Sequence, residues 1–241
     1  MNIRRFATLD STNDEARRLA EADETGPLWI VADAQTSGHG RRGRVWVSEP
    51  GNLFTTLLMR VPGSAEQCAQ LSFAAALAVG DTVAALAPQA HVALKWPNDV
   101  LLEARKVAGI LLEAASTKDG CADWVLIGIG INLSHFPENV EFPAISVAAV
   151  TGAAPERDDA LSVLGSHWNR WFEAWREGGF EPLRQAWLAR AAGLGDKIVA
   201  KAGAREIEGV FQDLDGDGAL LIREVRGGIS RVTAGEVFFR P

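Results

Sequence analysis

Gly38-His39-Gly40-Arg41-Arg42-Gly43-Arg44 sets three glycines and three arginines in one short run, shortly after the strand-like Leu28-Trp29-Ile30-Val31-Ala32. Glycine lets a backbone adopt positive φ and turn its N–H groups toward an anion, and guanidinium forks bind carboxylate or phosphate oxygens in pairs. A solvated basic turn would have the same composition. The company the run keeps separates the two readings: Trp46 follows at once, and then Lys95-Trp96-Pro97-Asn98-Asp99, Arg105-Lys106-Val107-Ala108-Gly109-Ile110-Leu111 and Gly128-Ile129-Gly130-Ile131-Asn132 occur in that order.

Outward from this run, the pattern is that of a mixed or antiparallel sheet backed by helices, not strict βαβ alternation. Asn52–Met59, Val92–Trp96, Val107–Ala114 and Trp124–Ile131 read as strands bounded by polar or glycine-containing turns, and Ala65–Leu86 reads as an alanine-rich core helix. Thr12-Asn13-Asp14-Glu15 has the spacing of a capping box, which predicts a helix from about Asn13. From Pro155 to Trp187 the period becomes helical, with Leu161, Leu164, Trp168, Trp171 and Trp175 on one stripe that suits core packing. Beyond Gly193-Leu194-Gly195 lie short strand-like runs, 197–202, 207–212, 219–223 and 229–234, which predict a small all-β barrel. The expected division is therefore 1–194 and 195–241.

Composition narrows the function classes. The 241 residues are 47% hydrophobic and carry a net charge of −7, ample for a buried core and contrary to a general nucleic-acid binder. Cys68 and Cys121 are the only cysteines, too few for a disulfide framework and without metal-ligand spacing. No secretory signal is visible at the N-terminus, and the apolar stretch 73–87, interrupted by Asp81, is too short for a bilayer. A cytoplasmic protein, not bound to membrane, is expected.

Three motif matches point elsewhere and fail on chemistry. Gly38-x4-Gly43-Arg44-Val45 misses the nucleotide-binding P-loop, because Val45 cannot ligate magnesium and Arg44 replaces the lysine. Gly128-x-Gly130 lacks the third glycine of a dinucleotide fingerprint, Leu133 standing there. Asp213-x-Asp215-x-Asp217-Gly218-x5-Glu224 satisfies the EF-hand calcium pattern, but its flanks read as strands where that loop must join two helices. A hairpin is expected there.

The ordered set of motifs resembles the biotin protein ligases, over about Asp10 to Phe239. The resemblance implies an α+β fold of the class II synthetase/biotin ligase type: a mixed-sheet catalytic domain with a small C-terminal SH3-like β-barrel. It implies ATP-dependent activation of biotin to biotinyl-5'-AMP and transfer to a lysine of a biotin carboxyl carrier protein, with magnesium bound along with ATP. Carried over residue by residue, it puts Ser11, Thr12, Asn13, Gln35, Gly38, His39, Gly40, Arg41, Trp46, Lys106, Gly109, Gly128 and Gly130 at the biotin site. Arg41, Arg42, Arg44, Lys106 and Asn132 fall at the adenylate, with Lys106, Arg41 and Asp99 catalytic. Lys106 would contact both the carboxylate and the α-phosphate, and Asp99 would position or deprotonate the acceptor amine.

Bland alternatives stand beside these roles: Ser11-Thr12-Asn13 as a helix cap, Asn98 and Asp99 as turn formers after Pro97, Gly128 and Gly130 as a tightly packed strand. His39 departs from the family, which usually has arginine between the first two glycines. The runner-up is a lipoate ligase or octanoyl transferase of similar fold. Motif residues begin by Ser11, which leaves no room for an N-terminal helix-turn-helix, and no DNA partner is expected. The acceptor and the choice of monomer or homodimer are open in the sequence.

Overall fold

Alternation decides how the sheet faces its two layers, and the computed structural model describes every residue except 62, 117–121, 139, 141, 226, 240 and 241. The larger sheet contains β1 (Ile3–Leu9), β2 (Leu28–Gln35), β3 (Leu53–Met59), β4 (Val92–Lys95), β5 (Asp99–Leu102), β6 (Arg105–Ser116) and β7 (Ala122–Ile131). Their order is β1-β2-β3-β7-β6-β5-β4. β1 lies parallel to β2 and the other pairings are antiparallel, which makes the sheet mixed as expected.

On β7, Val125, Ile127, Ile129 and Ile131 enter the main core. The intervening residues, Trp124 and Leu126, join Leu28, Ile30 and Leu58 in a second apolar cluster under helix α1 (Thr12–Glu21), through Ala16 and Ala20. Continuing along that same face come Gly128 and Gly130. The helix covers the apolar end of the strand, and where its cover stops the strand carries no side chains.

The main core is filled from the other side by α2 (Ala65–Ala69), α3 (Leu71–Leu86), α4 (Val147–Thr151), α5 (Arg157–Gly178) and α6 (Phe180–Leu188). Leu161, Leu164, Trp168 and Trp171 are buried there, so the tryptophan stripe of α5 serves packing. The helical run Glu66–Leu86 is long and apolar enough to cross a membrane, longer than the 73–87 stretch suggested. In this fold α3 is a core helix, buried from Leu71 to Val83 between the sheet and α5.

β8 (Lys197–Ala202), β9 (Arg205–Leu214), β10 (Leu220–Glu224), β11 (Ile229–Val232) and β12 (Glu236–Phe239) form a separate antiparallel sheet in the order β11-β10-β9-β8-β12. Three strands go beyond the sequence pattern. β1 alternates poorly because its burial is that of a sheet edge, β5 is only four residues long, and β12 follows its neighbour too closely to show a period. The predicted helix 65–86 is broken at Gln70, and Ser64 and Gln67 close a capping box on α2. At α1 the cap is Ser11, one residue earlier than the spacing indicated, and its hydroxyl accepts from the Asn13 N–H. Thr12 is thereby free for other bonds. Cys68 is buried, as a small core hydrophobe, and burial pushes its thiol pKa up; Cys121 lies outside the described residues.

The acidic tail is a hairpin between β9 and β10. Asp215 accepts the N–H groups of Asp217 and Ala219, and Asp215 and Asp217 both pair with Arg231. Asp213 pairs with Arg184 at 2.6 Å, and the Glu224 carboxylate accepts from the Ser230 hydroxyl. The carboxylates of the calcium pattern already have partners, and strands occupy both flanks. Millimolar calcium should leave the melting temperature unchanged; a saturable rise abolished in Glu224→Ala would contradict the hairpin reading.

Candidate active site

On the bare end of β7 opens a cavity of about 340 Å³, bounded by the N-terminus of α1, the glycine-arginine loop, β5, β6, Pro137, Val140, Phe142 and Ala144. Its floor is set by glycine. A Cβ on Gly128 would sit 2.2 Å from Asn13 Oδ1, one on Gly130 would sit 2.5 Å from the Trp46 indole, and one on Gly109 would meet that indole at 3.0 Å. Asn13 and Trp46 therefore lie directly on the backbone of two neighbouring strands, Gly109 being paired with Gly130. The buried Trp46 Nε1 has no hydrogen-bond partner among the described residues.

A polar chain furnishes the α1 end. The Thr12 N–H and hydroxyl donate to Gln35 Oε1 at 2.8 and 3.2 Å, Gln35 Nε2 donates to Ser48 Oγ at 2.8 Å, and the Thr56 hydroxyl lies 2.8 Å from Thr12 Oγ1 and 2.6 Å from Asn13 Oδ1. Ser11, Thr12 and Asn13 are all buried, so the capping segment and the cavity wall are one structure.

At the opposite end a β-bulge sets the charge. Val100 pairs with Ala108 but Leu101 pairs with Lys106, which leaves Val107 as the extra residue on β6. Strict alternation would send Lys106 to the same side as Ala108 and Ile110, which are core residues. With the bulge, Val107 and Ala108 both enter the core and Lys106 emerges beside Gly109, its Nζ 3.4 Å from where a Gly109 Cβ would be. Lys106 Nζ lies 2.6 Å from Asp99 Oδ1 and 5.3 Å from the centroid of the Trp46 ring. Asp99 opens β5 and pairs in register with Gly109, so carboxylate, ammonium and glycine floor share one face.

The glycine-arginine run folds back on itself. The Trp46 N–H donates to the Gly38 carbonyl at 2.8 Å, the Gly40 N–H to the Arg44 carbonyl at 2.7 Å, and Arg42 and Gly43 turn the tip with φ of 57° and 71°. The Gly40 amide is thus used inside the loop, and cationic side chains are what the loop offers a ligand here. They are docked on the second sheet: Arg44 Nη2 lies 2.6 Å from Glu236, Arg42 3.7 Å from the same carboxylate, and Arg41 donates at 3.4 Å to the Gly235 carbonyl and to Asn98 Oδ1. Burial, then the neighbouring Arg42 and Arg44, hold the Arg41 pKa below its ordinary value. His39 lines the cavity; its Nδ1 lies 3.2 Å from the Ser37 carbonyl oxygen and 4.0 Å from Asp14.

The cavity wall brings together Ser11, Thr12, Asn13, Gln35, His39, Gly40, Arg41, Arg44, Trp46, Asp99, Lys106, Gly109, Gly128, Gly130 and Asn132. Gly38 sits behind it, where a Cβ would strike Ser48 Oγ at 2.4 Å, and Arg42 is exposed at the loop tip. Sequence reasoning passed over Pro137, Val140, Phe142 and Ala144, which complete the wall from an aperiodic segment, and Glu236, which reaches the loop from the second sheet. Asn98 was inside a quoted motif; its Nδ2 donates to the Ile110 carbonyl, and Arg41 bonds its oxygen.

Close behind this end lies Lys95, whose ammonium sits 3.5 Å over the Phe142 ring. Burial lowers its pKa from 10.5 to about 8, against the pull of Asp99 and with the push of Lys106. A lysine whose folded pKa is depressed leaves the unfolded chain binding more protons between the two values, so stability rises with pH across about 8 to 10.5. The wild type should gain stability relative to Lys95→Met over that window in denaturant titrations. A pH-independent difference would contradict it.

Residues 6–132 match the Biotin/lipoate A/B protein ligase family, and residues 193–240 match the Biotin protein ligase C terminal domain. The sequence is 45% identical over 240 residues to a biotin--[acetyl-CoA-carboxylase] ligase of Paracoccus denitrificans, covering 97% of this chain and 99% of that one. It is 35% identical over 238 residues to the protein of that name from Mycobacterium tuberculosis, covering 96% and 86%. Among solved structures, a biotin protein ligase from Aquifex aeolicus in complex with biotin and ATP superposes with a TM-score of 0.83 at 27% identity, over 99% of this chain and 98% of that one.

Proposed function

The chain belongs to the biotin protein ligase family, and from that premise we propose how its own residues divide the two half-reactions. The enzyme activates biotin with ATP to biotinyl-5'-AMP and transfers the biotinyl group to a lysine of a biotin carboxyl carrier protein. The observation that carries the division of roles is the Lys106–Asp99 pair at 2.6 Å, on the floor of the cavity.

In the first half-reaction a biotin carboxylate oxygen attacks the α-phosphorus and pyrophosphate leaves. Two anions must approach, so repulsion has to be cancelled where the new bond forms. Lys106 is the cation at that place, between the cavity floor and the arginine loop. To reach both anions its ammonium must share or leave Asp99, and Arg41 and Arg44 must likewise exchange Gly235 and Glu236 for phosphate oxygens. Magnesium brought with the nucleotide would neutralise phosphate charge, and no cage of protein carboxylates would be needed to hold it. Ser11, Thr12, Asn13 and Gln35 take the ureido end, Trp46 packs under the ligand on the Gly109 and Gly130 backbone, and Asn132 stands near the phosphates.

In the second half-reaction the acceptor ε-amine attacks the acyl carbon and AMP leaves. The amine must first lose a proton, and Asp99 is the carboxylate at the cavity end beside Lys106. The finer assignment of partners is part of the same proposal: a cytoplasmic carrier-protein acceptor and no DNA. It is supported by the net-acidic chain and by cysteines without disulfide or metal spacing.

Adenylate formation and transfer can be followed separately with labelled ATP and a carrier domain. Lys106→Ala should slow adenylation by at least about a hundredfold; near wild-type adenylation would remove Lys106 from the mechanism. Asp99→Asn should still form the adenylate and transfer slowly, with the deficit narrowing at high pH as more amine is free. Equal losses in both steps at every pH would assign Asp99 to the nucleotide site instead.

A further inference from the structure

Asn13 lies flat on Gly128 at the deep end of the cavity, and an amide in that position reads a ligand in opposite ways according to which end faces which neighbour. Its oxygen accepts from a donor; its nitrogen donates to an acceptor. Among the described residues, two side chains bond the Asn13 amide. The Thr56 hydroxyl, 2.6 Å from Oδ1, can donate or accept and so permits either orientation. The Glu113 carboxylate, which receives Nδ2 at 3.3 Å, can only accept. Glu113 stands on β6 opposite Leu126, on the same face as Leu111 and Gly109, and it is half-buried beneath α1. Arg17 Nη2, 2.8 Å away on the same oxygen, and the Arg17–Asp14 pair at 2.9 Å hold that carboxylate in place.

We infer that Glu113 is a positioning residue that sets biotin specificity: by accepting only, it fixes the Asn13 amide with Oδ1 on Thr56 and one Nδ2 hydrogen free for the cavity. A free N–H matches a ligand carbonyl, which is what a cyclic urea presents. A flipped amide would set Oδ1 against the Glu113 carboxylate, two acceptors in contact with no proton between them. The inference rests on the reading that this end of the cavity holds the ureido ring. It adds a residue that never touches the ligand and lies outside the quoted motifs.

The test is direct binding, without ATP, of biotin and of 2-iminobiotin, whose exocyclic N–H can donate where the biotin carbonyl only accepts. In Glu113→Leu no acceptor is left beside Nδ2, so Asn13 loses its fixed sense. The biotin Kd should rise about tenfold, equivalent to about 1.4 kcal/mol, and the 2-iminobiotin Kd should change less than about threefold. In Glu113→Gln, by contrast, the donor-only Arg17 holds the amide oxygen in the same place, and the ratio of the two Kd values should stay at its wild-type level. Arg17→Ala removes the neighbour that steadies the same carboxylate but leaves the acceptor, and should keep the ratio of the two Kd values at its wild-type level. Equal weakening of both ligands in Glu113→Leu, no weakening of either, or the same ratio shift in Arg17→Ala would overturn the inference. Failure of the wild type to bind biotin would instead strike at the ligase reading on which it rests.

Discussion

Three glycines without side chains, at positions 109, 128 and 130 on paired strands, are the constraint on which the site depends. They lie where the cover of α1 ends, and the close approach of Asn13 and Trp46 to the sheet is possible only because no Cβ intervenes. The same strands are ordinary core on their other face, where Val125, Ile127, Ile129 and Ile131 anchor them against the helices. A rigid floor and an open cavity therefore come from one sequence pattern, apolar on one side and apolar then glycine on the other. The β6 bulge at Val107 is the departure from alternation that turns Lys106 onto this floor.

Charge is concentrated here in a chain that is acidic overall. The cations are paired locally: Lys106 with Asp99, Arg42 and Arg44 with Glu236. Paired side chains at partly exposed positions give little net stability, and exchanging a carboxylate for a substrate carboxylate or phosphate is a trade of like for like. The second sheet reaches the cavity through these pairs, because Gly235 and Glu236 hold the loop arginines. It also sets Phe238 against Phe142, a residue of the cavity wall, with the rings tilted by 32° and their centroids 5.1 Å apart.

The parts of this architecture written in local pattern were legible in the sequence. Apolar runs bounded by polar or glycine-containing turns placed β2, β3, β6 and β7, the helical period placed α5, and Lys106, Asp99 and the loop arginines stood in recognisable runs. What escaped depends on tertiary contact. Ser11, not Thr12, caps α1 because Thr12 is drawn to Gln35 and Thr56, partners far along the chain. The bulge at Val107 has no signature in a run of apolar residues. Phe142 and Glu236 come from an aperiodic segment and from a short strand, and only the fold brings Phe142 to the cavity wall and Glu236 to the arginine loop. The EF-hand pattern of the tail is the converse case, a complete motif in the wrong context, undone by the strands on either side of it.

A competition between carboxylic acids tests the central claim most directly. The protein would be incubated with magnesium–ATP and equal concentrations of biotin and lipoate, and the acyl-adenylates identified by mass spectrometry. A polar end built from Ser11, Thr12, Asn13 and Gln35 over a glycine floor requires biotinyl-5'-AMP to be the dominant product. Lipoyl-adenylate in equal or greater amount would contradict the account.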